Sequence, residues 1–296
     1  MTQQELLSSM SKEAMHDHYG HPVREISAWS DISPDAAFHY IYTTRCAPLH
    51  FFYRQVPVSR GLMVVFHGAR RKLEHGLTPL PIFLYNSFQY SGISVLCISD
   101  PMLQVYESEE LLLSWFSASK KINVTAEITE LLSAVSALEG SQNILTFGSS
   151  GGAFPAIKFA GILGKRALVS NGQYFLDKHP LYTDLTTKLA KYGDSLCESP
   201  DITQILEKSG FPTKIHMFMN TEDTYTYEKH ALPFVQYMRE SGRSSHLEFN
   251  AFTGQVPEPN KRPHHVLWPC LETYKDLIRS YVLSDHVAGK RSHCPS

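Results

Sequence analysis

Gly148-Ser149-Ser150-Gly151-Gly152 is a Gly-x-Ser-x-Gly pentapeptide placed directly after the apolar run 143–147. Glycines two residues either side of a serine let a strand turn sharply into a helix, while the serine takes a strained conformation that exposes its hydroxyl. Ser150 is therefore the candidate nucleophile. A serine attacks a carbonyl at neutral pH only with a base to take its proton, an acid to orient that base, and donors for the developing oxyanion. The chemistry in prospect is acyl transfer through a covalent serine ester.

The remaining parts occur in order along the chain. Residues 61–66 form a continuous apolar run of the kind that makes a buried parallel strand, and it ends in His67-Gly68-Ala69. An oxyanion-hole segment belongs there, with the backbone N–H of Gly151 as one donor and that of Gly68 or Ala69 as the other. His67 is read as shaping this loop rather than carrying a proton. Residues 214–219 read as a later strand, followed by Asn220-Thr221-Glu222-Asp223. Asp223 is preferred to Glu222 as the acid because the shorter side chain suits a tight turn after a strand. The last strand is 246–252, after which a proline-rich loop reaches His264-His265. Adjacent residues cannot both face the serine; His265 is the preferred base and His264 the alternate.

These residues need a frame. Strands ending near Phe66, Ile98, Phe147, Ser170, Met219 and Phe252 are expected to form a parallel sheet, with an antiparallel pair, 37–43 and 48–55, at its edge. Residues 126–138 carry Ile128, Leu131, Leu132, Val135 and Leu138 at helical spacing, and a second helix follows the elbow over 151–163. Residues 102–121 are expected as a core helix, with Glu107–Glu110 near its start and Leu111, Leu112, Leu113, Trp115 and Phe116 on its buried face. The expected organisation is a polar arm over 1–30, one domain over 31–285 with a lid insertion at about 173–212, and a tail over 286–296.

From the strand before His67 to the histidines after Phe252, roughly residues 60 to 283, this succession resembles the α/β-hydrolase superfamily, in which serine, acid and histidine follow in that order. The resemblance implies an α/β fold, a mostly parallel central sheet with helices on both faces and a lid. The doubled serine of the elbow, the strand end Val169-Ser170-Asn171-Gly172-Gln173 and the segment Thr221-Glu222-Asp223-Thr224-Tyr225 are similar to a narrower bacterial group associated with surface polysaccharides. That group includes capsule O-acetyltransferases and esterases, and implies acyl-ester chemistry on a glycan. Three functions follow: a serine esterase acting on a small-molecule or glycan ester; an O-acyltransferase with a sugar acceptor and acetyl coenzyme A as co-substrate; and a binding protein that keeps the triad without turnover. The esterase needs no cofactor.

Arg70-Arg71-Lys72 follows the oxyanion segment and Lys261-Arg262 precedes the histidines, so the fold implied above places both basic clusters at one rim of the site. Arg70, Arg71, Lys261 and Arg262 are expected to attract an anionic substrate, and Gln173 to contact it. The chain as a whole gives no other sign of a charged partner. Its 296 residues carry a formal net charge of −2, with no basic tract of the kind nucleic acid requires. No stretch approaches the roughly 18 apolar residues of a membrane span, and residues 1–7 lack the basic and apolar regions of a secretion signal, so a cytoplasmic protein is expected. Five scattered cysteines read as reduced thiols. His16-Asp17-His18 with His21 lacks a supporting carboxylate or cysteine frame, and no metal site is expected.

Overall fold

The computed structural model describes residues 20–33, 37–44, 47–73, 76–78, 80–83, 92–140 and 143–254, with 276, 278 and 280. The strands are β1 (Val23–Ile26), β2 (Phe38–Thr43), β3 (Pro48–Arg54), β4 (Leu62–Phe66), the short hairpin β5 (Lys72–Leu73) and β6 (Gly76–Leu77), β7 (Ser94–Ile98), β8 (Ile144–Ser149), β9 (Arg166–Ser170), β10 (Lys214–Asn220) and β11 (Leu247–Phe252). All but the hairpin join one sheet in the order β1-β2-β3-β7-β4-β8-β9-β10-β11. From β7 to β11 every pairing is parallel, while β3 is antiparallel to both β2 and β7. The expected parallel sheet and antiparallel edge pair are both present.

Period-two geometry explains how the central strands serve two cores. Leu62, Val64 and Phe66 point into one hydrophobic cluster, while Met63 and Val65 point into another with Cys97, Leu145, Phe147 and Leu168. The helices are α1 (Pro101–Val105), α2 (Val124–Glu139), α3 (Ala153–Leu163), α4 (Pro180–Lys191), α5 (Ile202–Ser209) and α6 (Leu232–Glu240). In α2 the Asn123 side chain caps the Ala126 N–H at 3.2 Å, Gly140 closes the helix at φ +60°, and Ile128, Leu131, Leu132 and Val135 are buried as their spacing predicts, while Leu138, expected on the same stripe, is exposed in the helix's last turn. α3 packs along β8 and β9 and contributes Phe154, Ile157 and Phe159 to the first core.

Two expectations fail. Within the expected arm 1–30, Val23–Ile26 form β1, pairing in parallel with β2 from Val23↔His39 to Ile26↔Tyr42. An open sheet edge recruits a short segment whatever its polarity, because main-chain pairing is indifferent to side chains. The expected core helix over 102–121 stops at Val105; after a 3₁₀ turn, Glu107–Glu109, the chain runs irregularly to Asn123, with Glu110, Trp115 and Phe116 at positive φ. Tertiary acceptors replace helical ones. Asp100 accepts the Phe116 N–H at 2.8 Å and the Ser114 hydroxyl, Asp194 accepts the Ser119 hydroxyl at 2.6 Å, and Glu198 accepts the Ala118 N–H at 3.0 Å. Leu111, Leu113, Trp115 and Phe116 remain buried, and the loop tolerates that burial because its polar groups are satisfied.

Buried histidines give the fold a pH signature. His39 and His50 touch at 3.1 Å between β2 and β3, and burial pushes each pKa down to about 3. Burial likewise lowers His67 and His216 to about 4. These groups stay neutral in the folded chain but protonate in the unfolded chain below about pH 6.5, so they withdraw stability as pH falls from there. Asp100 works in the opposite sense: burial raises it from 3.8 to about 6, so it takes up a proton in the folded state first and offsets part of the loss. Four groups outweigh one. The urea midpoint is expected to fall steadily between pH 7 and pH 4.5, by an amount equivalent to several kcal/mol; a flat profile would refute the neutral burial of these rings.

Candidate active site

Ser149 ends β8 in extended conformation, and Ser150 then turns at φ +55°, in the left-handed region that costs a non-glycine residue on the order of 1 kcal/mol or more. The glycines are demanded by close approach. A methyl group on Gly148 would lie 1.9 Å from the Gly152 carbonyl oxygen, and one on Gly152 would lie 2.4 Å from that of Phe66. Gly151 is packed beneath Leu113, whose methyls would sit 2.6 and 2.7 Å from an added Cβ. The elbow is therefore wedged between β4, α3 and the irregular loop after α1.

The segment His67-Gly68-Ala69 lies against it. A methyl on Gly68 would be 3.3 Å from the Ser149 carbonyl oxygen and 3.6 Å from Ser150 Cβ. His67 is fully buried and its tautomer follows from its partners: Nε2 accepts the Asp100 N–H at 3.0 Å, so Nδ1 carries the proton and donates to the Gly68 carbonyl at 2.7 Å. In a trans peptide the Gly68 carbonyl and the Ala69 N–H point in opposite directions, so His67 fixes where that N–H is aimed. With a pKa near 4 the ring stays neutral, which agrees with the loop-shaping role read from the sequence.

Asp100 was not foreseen as part of this region, although Asp-Pro at the end of a strand is a recognisable helix start: its side chain caps Met102 N–H at 3.1 Å, with Pro101 in the first turn. The same carboxylate holds the turn at Ser114 and Phe116. Nearby, Lys158 on α3 is buried and bonds the Phe116 carbonyl at 3.0 Å and Glu198 at 2.6 Å. Burial lowers the Lys158 pKa; Glu198 is held below its ordinary value because Lys158 more than offsets the effect of its own burial.

Arg70, expected at the rim, is buried instead. Its Nε donates to the Thr78 carbonyl at 3.0 Å and its backbone N–H to the Leu112 carbonyl at 2.7 Å; burial lowers its pKa, against the attraction of Glu107 and Glu110. Arg71 is exposed. Lys261, Arg262, His264 and His265 lie outside the described residues.

Asp223 sits beyond the C-terminal end of β10, two strands from the elbow, half-buried and capping the helical turn Thr224–Thr226; Glu222 beside it is exposed. Asn220 organises this end of the sheet, a role not recognised in the sequence. Its Oδ1 accepts the N–H groups of Glu222 at 3.2 Å and Gly254 at 3.0 Å, and its own N–H donates to Asn171 Oδ1 at 2.8 Å. The turn at Glu222 and Asp223 and the chain leaving β11 thus hang from one buried amide. Asn171 itself turns at φ +44° just after β9. Gln173 follows, with its N–H on the Ser150 carbonyl at 3.2 Å and Nε2 3.5 Å from Ser150 Oγ. The structure therefore brings Ser150, Gly151, Gly68 and Gln173 together, with Asp223 on the same side of the sheet.

The insertion at 173–212 contains α4 and α5. It is bonded to the 100–123 region at many points: Asp194 accepts from Tyr106 at 2.7 Å and from Ser119, Lys191 pairs with Glu109 at 2.8 Å, Glu198 accepts the Ala118 N–H at 3.0 Å, and a β-bridge joins Ser119 to Leu196; Glu198 also meets Lys158 on α3 and Thr125 on α2. Its first part lies over Trp115, with His179 edge-on at 5.6 Å and Tyr182 at 6.4 Å. These bonds join the insertion to the core beside the elbow.

No family model and no curated protein matches the chain. Solved structures do. The chain is similar to esterase B of Lactobacillus rhamnosis, a protein captured with a tributyrin phosphonate, at TM-score 0.53 and 12% identity over 90% of this chain and 92% of that one. A thermophilic esterase from the planctomycete Thermogutta terrifontis matches at TM-score 0.53 and 13% identity over 88% and 96%. The acylaminoacyl peptidase of Pyrococcus horikoshii matches at TM-score 0.55 and 14% identity over 86% of this chain and 42% of that one. Identities this low bear on architecture alone. With its mostly parallel sheet, helices and matching neighbours, the chain has the α/β-hydrolase fold.

Proposed function

We propose that this protein is a serine-dependent carboxylic ester hydrolase. The observation that carries the reading is Ser150 at φ +55° on a tight strand-to-helix turn, with the His67-Gly68-Ala69 loop packed against it. In this reading Ser150 Oγ adds to the ester carbonyl carbon as its proton passes to His265, which Asp223 orients. The oxyanion is met by the N–H of Gly151 and that of Ala69 or Gly68. The tetrahedral adduct collapses with loss of the alcohol, which takes the proton from His265. Water, deprotonated by His265, then releases the acid and restores the serine.

Transfer of the acyl group to a sugar hydroxyl, with acetyl coenzyme A as donor, shares the first half of this sequence. The placement of Arg70 favours hydrolysis, because a buried guanidinium bonded to the Thr78 carbonyl is poorly available to the phosphates of such a donor. An ester with a small or glycan alcohol is the proposed substrate. The test is covalent labelling of the purified protein by a fluorophosphonate, with the adduct located by mass spectrometry. Label on Ser150, slowed about 100-fold or more by His265→Ala, is the expected result. Absence of label on Ser150 would remove the reading, and acyl product that forms only with a sugar acceptor would replace hydrolysis by transfer.

A further inference from the structure

The Gln173 side chain is 5% exposed and lies between two groups of different hydrogen-bonding capacity. On one side, the indole Nε1 of Trp115 is 2.7 Å from Gln173 Oε1. An indole N–H only donates, so the amide oxygen must face Trp115 and the NH₂ must face the other way. On the other side, Nε2 lies 3.5 Å from Ser150 Oγ. The amide is thus oriented by chemistry, with its donors turned toward the nucleophile.

Trp115 is itself held at some cost. Trp115 and Phe116 both occupy the left-handed region, at φ +53° and +52°, a conformation that side chains with a Cβ seldom adopt. The buried Asp100 carboxylate takes the Ser114 hydroxyl and the Phe116 N–H, and Lys158 Nζ takes the Phe116 carbonyl. The Gln173 backbone N–H on the Ser150 carbonyl fixes the other end. Strain of this kind persists where the surroundings over-determine it, and here it delivers one donor-only group to one amide oxygen.

We infer that Gln173 is a catalytic residue, a side-chain donor to the oxygens of the tetrahedral adduct, and that Trp115 is its positioning residue. The inference rests on Ser150 being the nucleophile. Once Oγ is bonded to the carbonyl carbon, the oxyanion lies one bond angle from Oγ, within reach of an amide already beside it. Charge that builds there in a buried site is stabilised more strongly by a pre-oriented N–H than it would be in water. No bond to Gln173 forms or breaks.

The test compares rates of fluorophosphonate addition to Ser150 and of aryl-ester turnover in wild type, Gln173→Ala, Gln173→Glu, Trp115→Phe and Trp115→Phe/Gln173→Ala. Gln173→Glu retains an acceptor for the indole and so keeps the local fold while losing the donor. Both Gln173 variants are expected to lose about 100-fold in kcat and in labelling rate with KM changed by less than about threefold. Trp115→Phe should lose about 10-fold, and the double variant no more than Gln173→Ala alone, since Trp115 acts through the amide. Wild-type labelling rates in Gln173→Glu would overturn the donor role, and losses that multiply in the double variant would overturn the positioning role. Failure of the wild type to label at Ser150 would instead remove the nucleophile assignment beneath both.

Discussion

Ser150→Ala is expected to lower ester turnover by about 10⁵-fold or more, the scale on which removal of a triad nucleophile acts. The size of the effect follows from the covalent step, since no neighbouring group supplies an equivalent oxygen. Ser149 is one residue away but ends β8 in ordinary extended conformation, at φ −122° and ψ 153°, outside the left-handed turn that Ser150 occupies. Ser149→Ala is therefore expected to retain activity within a few-fold of wild type. Stability should barely change in Ser150→Ala, because among the described residues the one side-chain contact of its hydroxyl is long, at 3.5 Å, from Gln173. Turnover and thermal midpoint measured on both variants check the claim. Substantial activity in Ser150→Ala would place the nucleophile elsewhere.

Gly148→Ala is expected to destabilise the protein by more than about 4 kcal/mol and to abolish turnover with it. The added methyl would lie 1.9 Å from the Gly152 carbonyl oxygen and 2.2 Å from its carbon, which are backbone atoms at the start of the helical turn and have no rotamer through which to retreat. Relief requires the elbow to open, and opening it moves Ser150 away from Gly68 and Gln173. Gly140→Ala provides the comparison. It has no atom within 4 Å of an added Cβ, and only its φ of +60° opposes the change, so a cost near 1 kcal/mol is expected. Urea denaturation of the two variants measures the difference, and similar midpoints would show that close approach is not what selects glycine at the elbow.

The elbow and the strands that carry it were legible because their signals are local. Glycine at 148 and 152, an apolar run before them and a helical stripe at 128, 131, 132 and 135 each report on neighbours only a few residues away. The same holds for the strand before His67 and for β10. The segment 102–121 misled because its leucines and aromatics are buried, as a core helix's would be, while its backbone is shaped by Asp100, Asp194 and Glu198 from elsewhere in the chain. Apolar composition reports burial and says little about which partner satisfies the backbone.

The sequence by itself located the strands along the chain and the glycine-flanked serine at the turn after β8, since turn geometry and strand periodicity are written in adjacent side chains. Only the tertiary structure decided that Arg70 is turned inward toward Thr78, that one Asn220 amide ties the acid turn to the loop after β11, and that Trp115 dictates which end of Gln173 faces Ser150. Those are matters of hydrogen-bond direction, mostly between residues distant in the chain and up to 58 positions apart, and direction is fixed only when the sheet and its loops have packed.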